Sequence, residues 1–308
     1  MGGYPLISTG DSLSRLADGS IEILRTLDPD RDLYLRDHQL DGKPVFPLTM
    51  ALELMAEAAS VGWPDLQVVA MKDLRLLRGL VLEAGPVPVR IIAKPLTPPS
   101  RDGVEVEVSI VGLEPREPPH YKVIACLGAE LPTPPPIETL ALSEEIPLPL
   151  PLEEVYRQWL FHGPLMAGVA AITGIGANGI TGDLIPSMPE KCLVAATQVP
   201  WILDPVVLDS ALQLIIVWSR IHWDMTPLPS SLHRYRRFGP LSGGKITCQV
   251  RIRPDSAAHI VHCDFTLSGS DGQLLGLIEN AEGVCSKALN RLTQMKDKHE
   301  SRYVHERP

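Results

Sequence analysis

The distribution of proline is the strongest constraint on this chain. Half of its 30 prolines lie between Pro86 and Pro151, with the densest cluster at Pro132, Pro134, Pro135 and Pro136. Proline has no backbone N–H and a fixed φ, so such a stretch neither joins a sheet ladder nor continues a helix. Residues 131–151 therefore read as an extended linker between an N-terminal half, 1–130, and a C-terminal half, 152–285. Residues 286–308 are polar, mixed in charge and poorly periodic, and read as a tail.

The two halves repeat one order of elements. In the first, residues 47–60 are rich in helix formers, open on Pro47 and end near Gly62 and Pro64, which predicts a mostly buried helix. Strand-like runs follow at 87–94, 104–112 and 121–127. In the second half a short amphipathic stretch, 152–160, and Gly-punctuated strands between 165 and 197 precede a second helix. Asp204-Pro205 supplies its N-cap and first turn, and 206–219 is apolar almost all round. Strands are again expected at 245–253, 259–268 and 273–283, separated by turn signals. The simplest account is an α+β duplication, each unit a long helix wrapped by an antiparallel sheet.

Composition bounds the function. With 44% apolar and 21% charged residues the chain is globular, and its net charge of −9 disfavours a phosphate backbone as main partner, so no nucleic acid is expected. The five cysteines lie far apart with no C-x-x-C pair, which predicts reduced thiols in a cytoplasmic setting. The apolar run 212–218 is too short to cross a bilayer, and no secretory signal opens the chain, so no membrane is expected. Met1-Gly2-Gly3 reads as an artificial scar, and both ends suggest a piece of something longer.

Several motifs resemble chemistry that their context denies. Gly174-Ile-Gly176-Ala-Asn-Gly179 spells a dinucleotide fingerprint, but a hairpin turn and a strand follow it instead of a helix. A nucleotide-dependent enzyme is therefore only a foil. Gly239-Pro-Leu-Ser-Gly-Gly244-Lys245 lacks the Ser/Thr of a P-loop. His259, His262 and Cys263 suggest a metal site, but on a strand His259 and His262 face opposite ways, as do His262 and Cys263, so no metal is expected. Arg234, Arg236 and Arg237 form a basic run that reads as a solvated loop or a receptor for an acidic partner.

One constellation survives. His38 sits in a polar turn ahead of the first helix, with Gly42 available for close backbone approach. The unpaired N–H groups at that helix start attract a carbonyl or developing oxyanion, so a base beside them could remove a proton α to a thioester. Asp209 and Gln213, at i and i+4, share a face of the second helix. On an exposed helix Asp209 is an ordinary first-turn acid; on a central one burial would favour its protonated form, with Gln213 orienting it.

At this point the residues resemble a family, the dehydratase domains of polyketide synthases and of related polyunsaturated fatty acid and enediyne synthases. His38, Gly42 and Pro47 match the motif H-x-x-x-G-x-x-x-x-P, and Asp204-Pro205-Val-Val-Leu-Asp209-Ser-Ala-Leu-Gln213 is similar to H-P-x-x-L-D-x-x-x-Q. His162-Gly163-Pro164-Leu-Met166 resembles Y-G-P-x-F, and Tyr4-Pro5-Leu6 the H-P-L opening. The resemblance implies a double hotdog fold with the site between its halves, and elimination of water from a β-hydroxyacyl thioester to give an α,β-enoyl thioester. His38 would be the base and Asp209 the acid. The backbone around Gly42 and the helix start after Pro47 would polarise the carbonyl, Gln213 would hold Asp209, and His162, Gly163 and Pro164 would position the substrate. The resemblance implies no cofactor in the domain, since the substrate rides on the phosphopantetheine of an acyl carrier protein. That carrier, docking at Arg234, Arg236 and Arg237, the other domains of a parent synthase, and a homodimer are the partners it admits. Three departures stand out: His162 replaces Tyr, Met166 replaces Phe and Asp204 replaces His. They fit an iterative relative better than a modular one. A non-catalytic or product-shaping module, isomerising or cyclising, is the alternative.

Overall fold

The computed structural model describes residues 3–7, 11–114, 117–194 and 198–293. In chain order the strands are β1 (Ser12–Arg15), β2 (Ile21–Leu27), β3 (Gln39–Leu40), β4 (Lys43–Pro44), β5 (Gln67–Leu76), β6 (Val87–Pro95), β7 (Gly103–Val111), β8 (Tyr121–Gly128), β9 (Val169–Gly176), β10 (Gly179–Leu184), β11 (Thr226–Arg237), β12 (Ile246–Ile252), β13 (Ile260–Ser268) and β14 (Leu274–Ser286). The α-helices are α1 (Leu48–Gly62), α2 (Leu152–Gln158), α3 (Pro189–Cys192) and α4 (Pro205–Trp223).

Apart from the small β3–β4 hairpin, the strands form one sheet in the order β1-β2-β6-β7-β8-β5-β11-β14-β13-β12-β10-β9. Read inward from its two edges, the sheet has the same order twice: two strands, a three-stranded meander, then one strand at the centre. The halves meet where β5 and β11 pair antiparallel, Leu74 opposite Leu232 and Met71 opposite Tyr235. Each half of the sheet curls around one helix: α1 packs on β2 and β5 to β8, α4 on β9 to β12, and the helices pack on each other. Wrapping on all sides explains why α1 and α4 are apolar on nearly every face.

The polar residues within these helices are fasteners. Asp204 caps α4 by accepting from Val206 N at 3.1 Å and Val207 N at 3.2 Å, and it also takes Ser187 N at 2.7 Å and Oγ at 2.8 Å. A neutral imidazole, with one lone pair, could not accept all four. On α1, Glu53 and Glu57 are fully buried one turn apart. Glu57 accepts from Leu6 N and Ile7 N, both at 2.9 Å, tying down the opening segment. Glu53 accepts from Ile202 N and Leu203 N, both at 2.7 Å, so it fastens the first helix to the chain that leads into the second.

Burial outweighs those two N–H donors and raises Glu53 from 4.5 to about 7. The folded chain thus holds this proton more tightly than the unfolded one, so the contribution is present below the unfolded value and lost as pH rises through the folded one. Thermal melts should fall from about pH 5 to about pH 8, and Glu53→Gln, which cannot ionise, should flatten that slope. An unchanged slope in the variant would remove Glu53 as its source.

The prolines of residues 131–151 keep that stretch free of helix and strand, but it is strapped to the second half. Leu140 N donates to Gln249 Oε1 at 2.7 Å, Ile146 N to Ile175 O at 3.0 Å, and Ala177 N to Ser143 O at 2.8 Å. This explains the glycines of the apparent fingerprint. A Cβ on Gly174 would strike Leu142, on Gly176 the Ser143 carbonyl, and on Gly179 the Leu140 side chain and Val250 carbonyl. They let the strap lie flat on the β9–β10 hairpin.

Two expectations need correction. The run holding Arg234, Arg236 and Arg237 is the end of β11 at the central seam, not a loop. Arg234 faces Glu279 at 4.0 Å, Arg236 lies 5.0 Å from the Phe238 ring centre, and Arg237 donates to Val68 O at 3.3 Å. Charge density alone does not separate a loop from the outward positions of a strand. The presumed tail also begins late: β14 runs to Ser286, a 3₁₀ helix follows over Lys287–Thr293, and Leu292 is buried. The rest of that tail and Met1-Gly2 lie outside the described residues.

The five cysteines are buried and unpaired. Cys263 Sγ points to Ala281 O at 3.7 Å while His262 Nδ1 meets Asn280 Oδ1 at 3.1 Å, so neither faces a shared metal position. Among the described residues no helix is long and apolar enough to cross a membrane.

Candidate active site

His38 is set by a turn. Asp41 and Gly42 both have positive φ, 52° and 75°, the geometry of a tight two-residue hairpin turn between β3 and β4. The chain doubles back so that Val45 N donates to His38 O at 3.0 Å and Val45 O lies 2.8 Å from His38 Nδ1. A carbonyl only accepts, so Nδ1 carries the proton and Nε2 the lone pair. Gly42 stands at the hairpin tip and is absent from the cavity wall described below. The turn it makes with Asp41 orients His38, while Leu40, Val45 and Phe46 on either side of it line the cavity. Pro47 is the residue before α1 and its carbonyl accepts from Ala51 N at 2.9 Å.

The second half brings its own imidazole alongside. His38 and His162 form an isolated antiparallel bridge, and Gly163 N donates to Asp37 O at 2.7 Å. The Asp37 carboxylate takes Leu165 N at 2.6 Å. Gly163 is required here, since a Cβ would collide with the Asp37 side chain. Pro164 opens a 3₁₀ turn, Pro164–Met166. The two imidazole centres end 5.5 Å apart, with Phe161 stacked on His162 at 4.1 Å and edge-on to His38 at 5.4 Å.

Asp209 lies one turn into α4, 5% exposed, with its Oδ2 3.2 Å from His162 Nε2. Gln213 Nε2 donates to that Oδ2 at 2.8 Å and to Met166 O at 2.7 Å. The amide orientation is fixed from behind, because Tyr156 Oη donates to Gln213 Oε1 at 2.9 Å and accepts from Val169 N at 2.9 Å. Thr49 Oγ1, on the first turn of α1, reaches Asp209 Oδ1 at 3.4 Å. Burial pushes the Asp209 carboxyl above its ordinary range, opposed by His38, Gln213 and Thr49. Oδ2 thus meets the Gln213 donor and Oδ1 the Thr49 hydroxyl. Polar atoms of His38, His162 and Asp209 all lie within 4.8 Å of one another.

The three open onto a cavity of about 210 Å³ between the halves. Leu40, Phe46, Leu76 and Tyr121 wall it from one side, and Leu212, Ile216, Pro227 and Leu228 from the other. Apart from Gln213 and Glu282 the rest of its lining is largely apolar, the setting that strengthens a polar contact and suits an acyl chain. The structure thus brings His38, His162, Asp209 and Gln213 together, holds Gly163 and Pro164 immediately behind them, and puts Arg234 and Arg236 in a separate cleft on the outer face of the sheet. Sequence reasoning missed Tyr156, Thr49, Asp37 and Phe161. Asp37 and Phe161 adjoin the two histidines, which was a usable signal; Tyr156 and Thr49 had none.

Comparison with known proteins fits this geometry. A family model described as polyketide synthase dehydratase domain matches residues 5–110, and one described as polyketide synthase dehydratase N-terminal domain matches residues 135–296. The chain belongs to the polyketide synthase dehydratase family. It is accordingly a hydro-lyase that dehydrates β-hydroxyacyl thioesters. It is 24% identical over 237 residues to a polyunsaturated fatty acid synthase polypeptide from Thraustochytrium sp., covering 75% of this chain and only 8% of that protein. The dehydratase domain from the CurJ module of curacin polyketide synthase superposes with a TM-score of 0.70 at 16% identity, over 95% of this chain and 99% of its own. A trans-AT dehydratase domain from Brevibacillus brevis gives 0.70 at 18%, over 92% and 98%. The PpsC dehydratase domain from Mycobacterium tuberculosis, in complex with C12:1-CoA, gives 0.69 at 18%, over 92% and 100%. The shared fold is the double hotdog. The curacin CurK dehydratase domain also has solved inactive forms, one with a histidine changed to phenylalanine and one with an aspartate changed to asparagine.

Proposed function

We infer that His38 and Asp209 are the base and acid of the dehydration, acting on a β-hydroxyacyl thioester held in the cavity between a first half, 1–130, and a second half, 152–285, joined by 131–151. The observation that carries this reading is the approach of the two side chains, one from each half, to within 4.8 Å on the wall of an apolar cavity. Inactive histidine and aspartate variants of the CurK domain support the pairing.

Nε2 of His38 takes the α-proton, and the Nδ1–H bond to Val45 O steadies the imidazolium that forms. The thioester oxygen gains charge near the start of α1, whose Pro47 offers no side-chain cap and whose Leu48 reaches the cavity. Asp209 protonates the departing β-hydroxyl, and water leaves. The resulting carboxylate keeps the N–H of Gln213, and His162 beside it fills the place of the family's Tyr next to the leaving group. Proton return from imidazolium to carboxylate resets the site without redox or metal chemistry in the balance.

The substrate arrives on the phosphopantetheine of an acyl carrier protein within a larger synthase. Arg234, Arg236 and Arg237 are its candidate receptor. Arg234 is five residues along β11 from Pro229 on the cavity wall, about 16 Å at strand spacing, a span a flexible arm would have to cover. A homodimer remains part of the proposal through the family alone. Incubating the chain with a β-hydroxyacyl pantetheine thioester tests the reading: mass spectrometry should detect loss of one water, and NMR an α,β double bond. Tight binding without water loss would favour a module that only holds the chain, and an isomerised or cyclised product would make it a shaping enzyme.

A further inference from the structure

The exchange of Tyr for His at position 162 adds a third ligating side chain to what is otherwise a two-residue acid–base pair. We propose that His38, His162 and Asp209 form a chelating site for a borderline divalent cation such as Zn²⁺ or Co²⁺, and that its occupation reversibly inhibits dehydration.

Geometry is the first support. Two ligands of a tetrahedral zinc, each at ~2.1 Å, stand about 3.4 Å apart. His162 Nε2 and Asp209 Oδ2 are already 3.2 Å apart. The His38 donor lies within 4.8 Å of both, so a small swing of one ring completes the set. Two imidazoles and one carboxylate are the donors that suit a borderline metal better than Mg²⁺ or Ca²⁺.

The surroundings are the second. Metal-bound histidines usually donate their other ring N–H to a backbone carbonyl or carboxylate. His38 does so, with Nδ1 on Val45 O at 2.8 Å. Asp209 is held on its outer side by Gln213, itself fixed by Tyr156. The cavity leaves space in front of the three for water or substrate as a fourth ligand. Binding requires His162 to carry its proton on Nδ1 and Asp209 to release its own to solvent, so one proton leaves as the cation enters and the occupied site carries one net positive charge. With the His38 Nε2 lone pair and the Asp209 carboxylate both on the metal, the protein has neither free base nor acid.

Cobalt titration tests this without reference to turnover. The chelator-stripped chain should bind about one Co²⁺, with the intense visible bands of a low-coordinate nitrogen and oxygen site, and Zn²⁺ should displace it. His162→Tyr, which restores the family's residue, should weaken binding at least tenfold and abolish zinc inhibition measured against that variant's own metal-free rate. His162→Phe is the second variant should tyrosine fit poorly, with circular dichroism to verify the fold. His233→Gln, at an exposed histidine, should change neither. Absence of the bands, or bands and inhibition that survive both changes at 162 or vanish with His233→Gln, would overturn the proposal. The metal readout stands apart from the acid–base assignment: a chain that binds Co²⁺ but does not dehydrate refutes the latter alone.

Discussion

His38→Ala is expected to remain folded and to lose dehydration by ~10³-fold, within the range of roughly 10²–10⁴ for a positioned general base. At about 1.4 kcal/mol per tenfold this is a loss of about 4 kcal/mol of transition-state stabilisation. The fold should survive because the side chain makes one hydrogen bond, to Val45 O, and the hairpin that carries it is independently closed by the Asp41-Gly42 turn. The cost in stability is about 1–3 kcal/mol for leaving a buried carbonyl without a partner. Steady-state rates on a small β-hydroxyacyl thioester, with thermal melts alongside, separate the two effects. Retained turnover would remove His38 as the base.

Asp209→Asn is expected to cut activity by a similar ~10²–10⁴-fold while leaving the domain as stable as before or more so at neutral pH. Asparagine has nearly the same shape and can still accept from Gln213, but it carries no transferable proton. The stability effect follows from the sign of the pKa shift. Burial raises the Asp209 carboxyl in the folded chain, so its ionisation costs stability as pH rises through that value, and the neutral amide escapes the cost. The same shift shapes the rate profile. Wild-type turnover should fall on the alkaline side as Asp209 loses its proton, and residual activity of Asp209→Asn should lack that limb. Loss of activity with an unaltered alkaline limb would assign the acid elsewhere.

The parts of the fold that were legible in the sequence are those with strong local periodicity or composition. Residues 47–60 and 206–219 are helical because helix formers and caps act within a few residues, and the alternating run in 103–111 is a strand for the same reason. β5 and β11 were not legible as the central seam. Their residues pair far apart in sequence, Leu74 with Leu232, and neither run alternates cleanly because register shifts interrupt both. The glycines at 174, 176 and 179 show the reverse case: a strong local motif whose cause is a strap from residues 140–143, distant in sequence.

The candidate site divides the same way. His38, Asp209 and Gln213 stood out because spacing along a turn or helix is itself information. Gly42 stood out as a small residue near His38, but the β3–β4 hairpin that it closes was not legible. Thr49 and Tyr156 reach Asp209 and Gln213 only through tertiary packing between elements that no local pattern connects.

The most direct test of the central claim is a crystal structure of the Asp209→Asn variant with a β-hydroxyacyl pantetheine thioester bound. The account predicts the acyl chain in the cavity between the halves, the α-carbon within about 3.5 Å of His38 Nε2, and the β-hydroxyl against the side chain at 209. A thioester bound with its α-carbon turned away from His38, or its hydroxyl reaching neither residue, would contradict it.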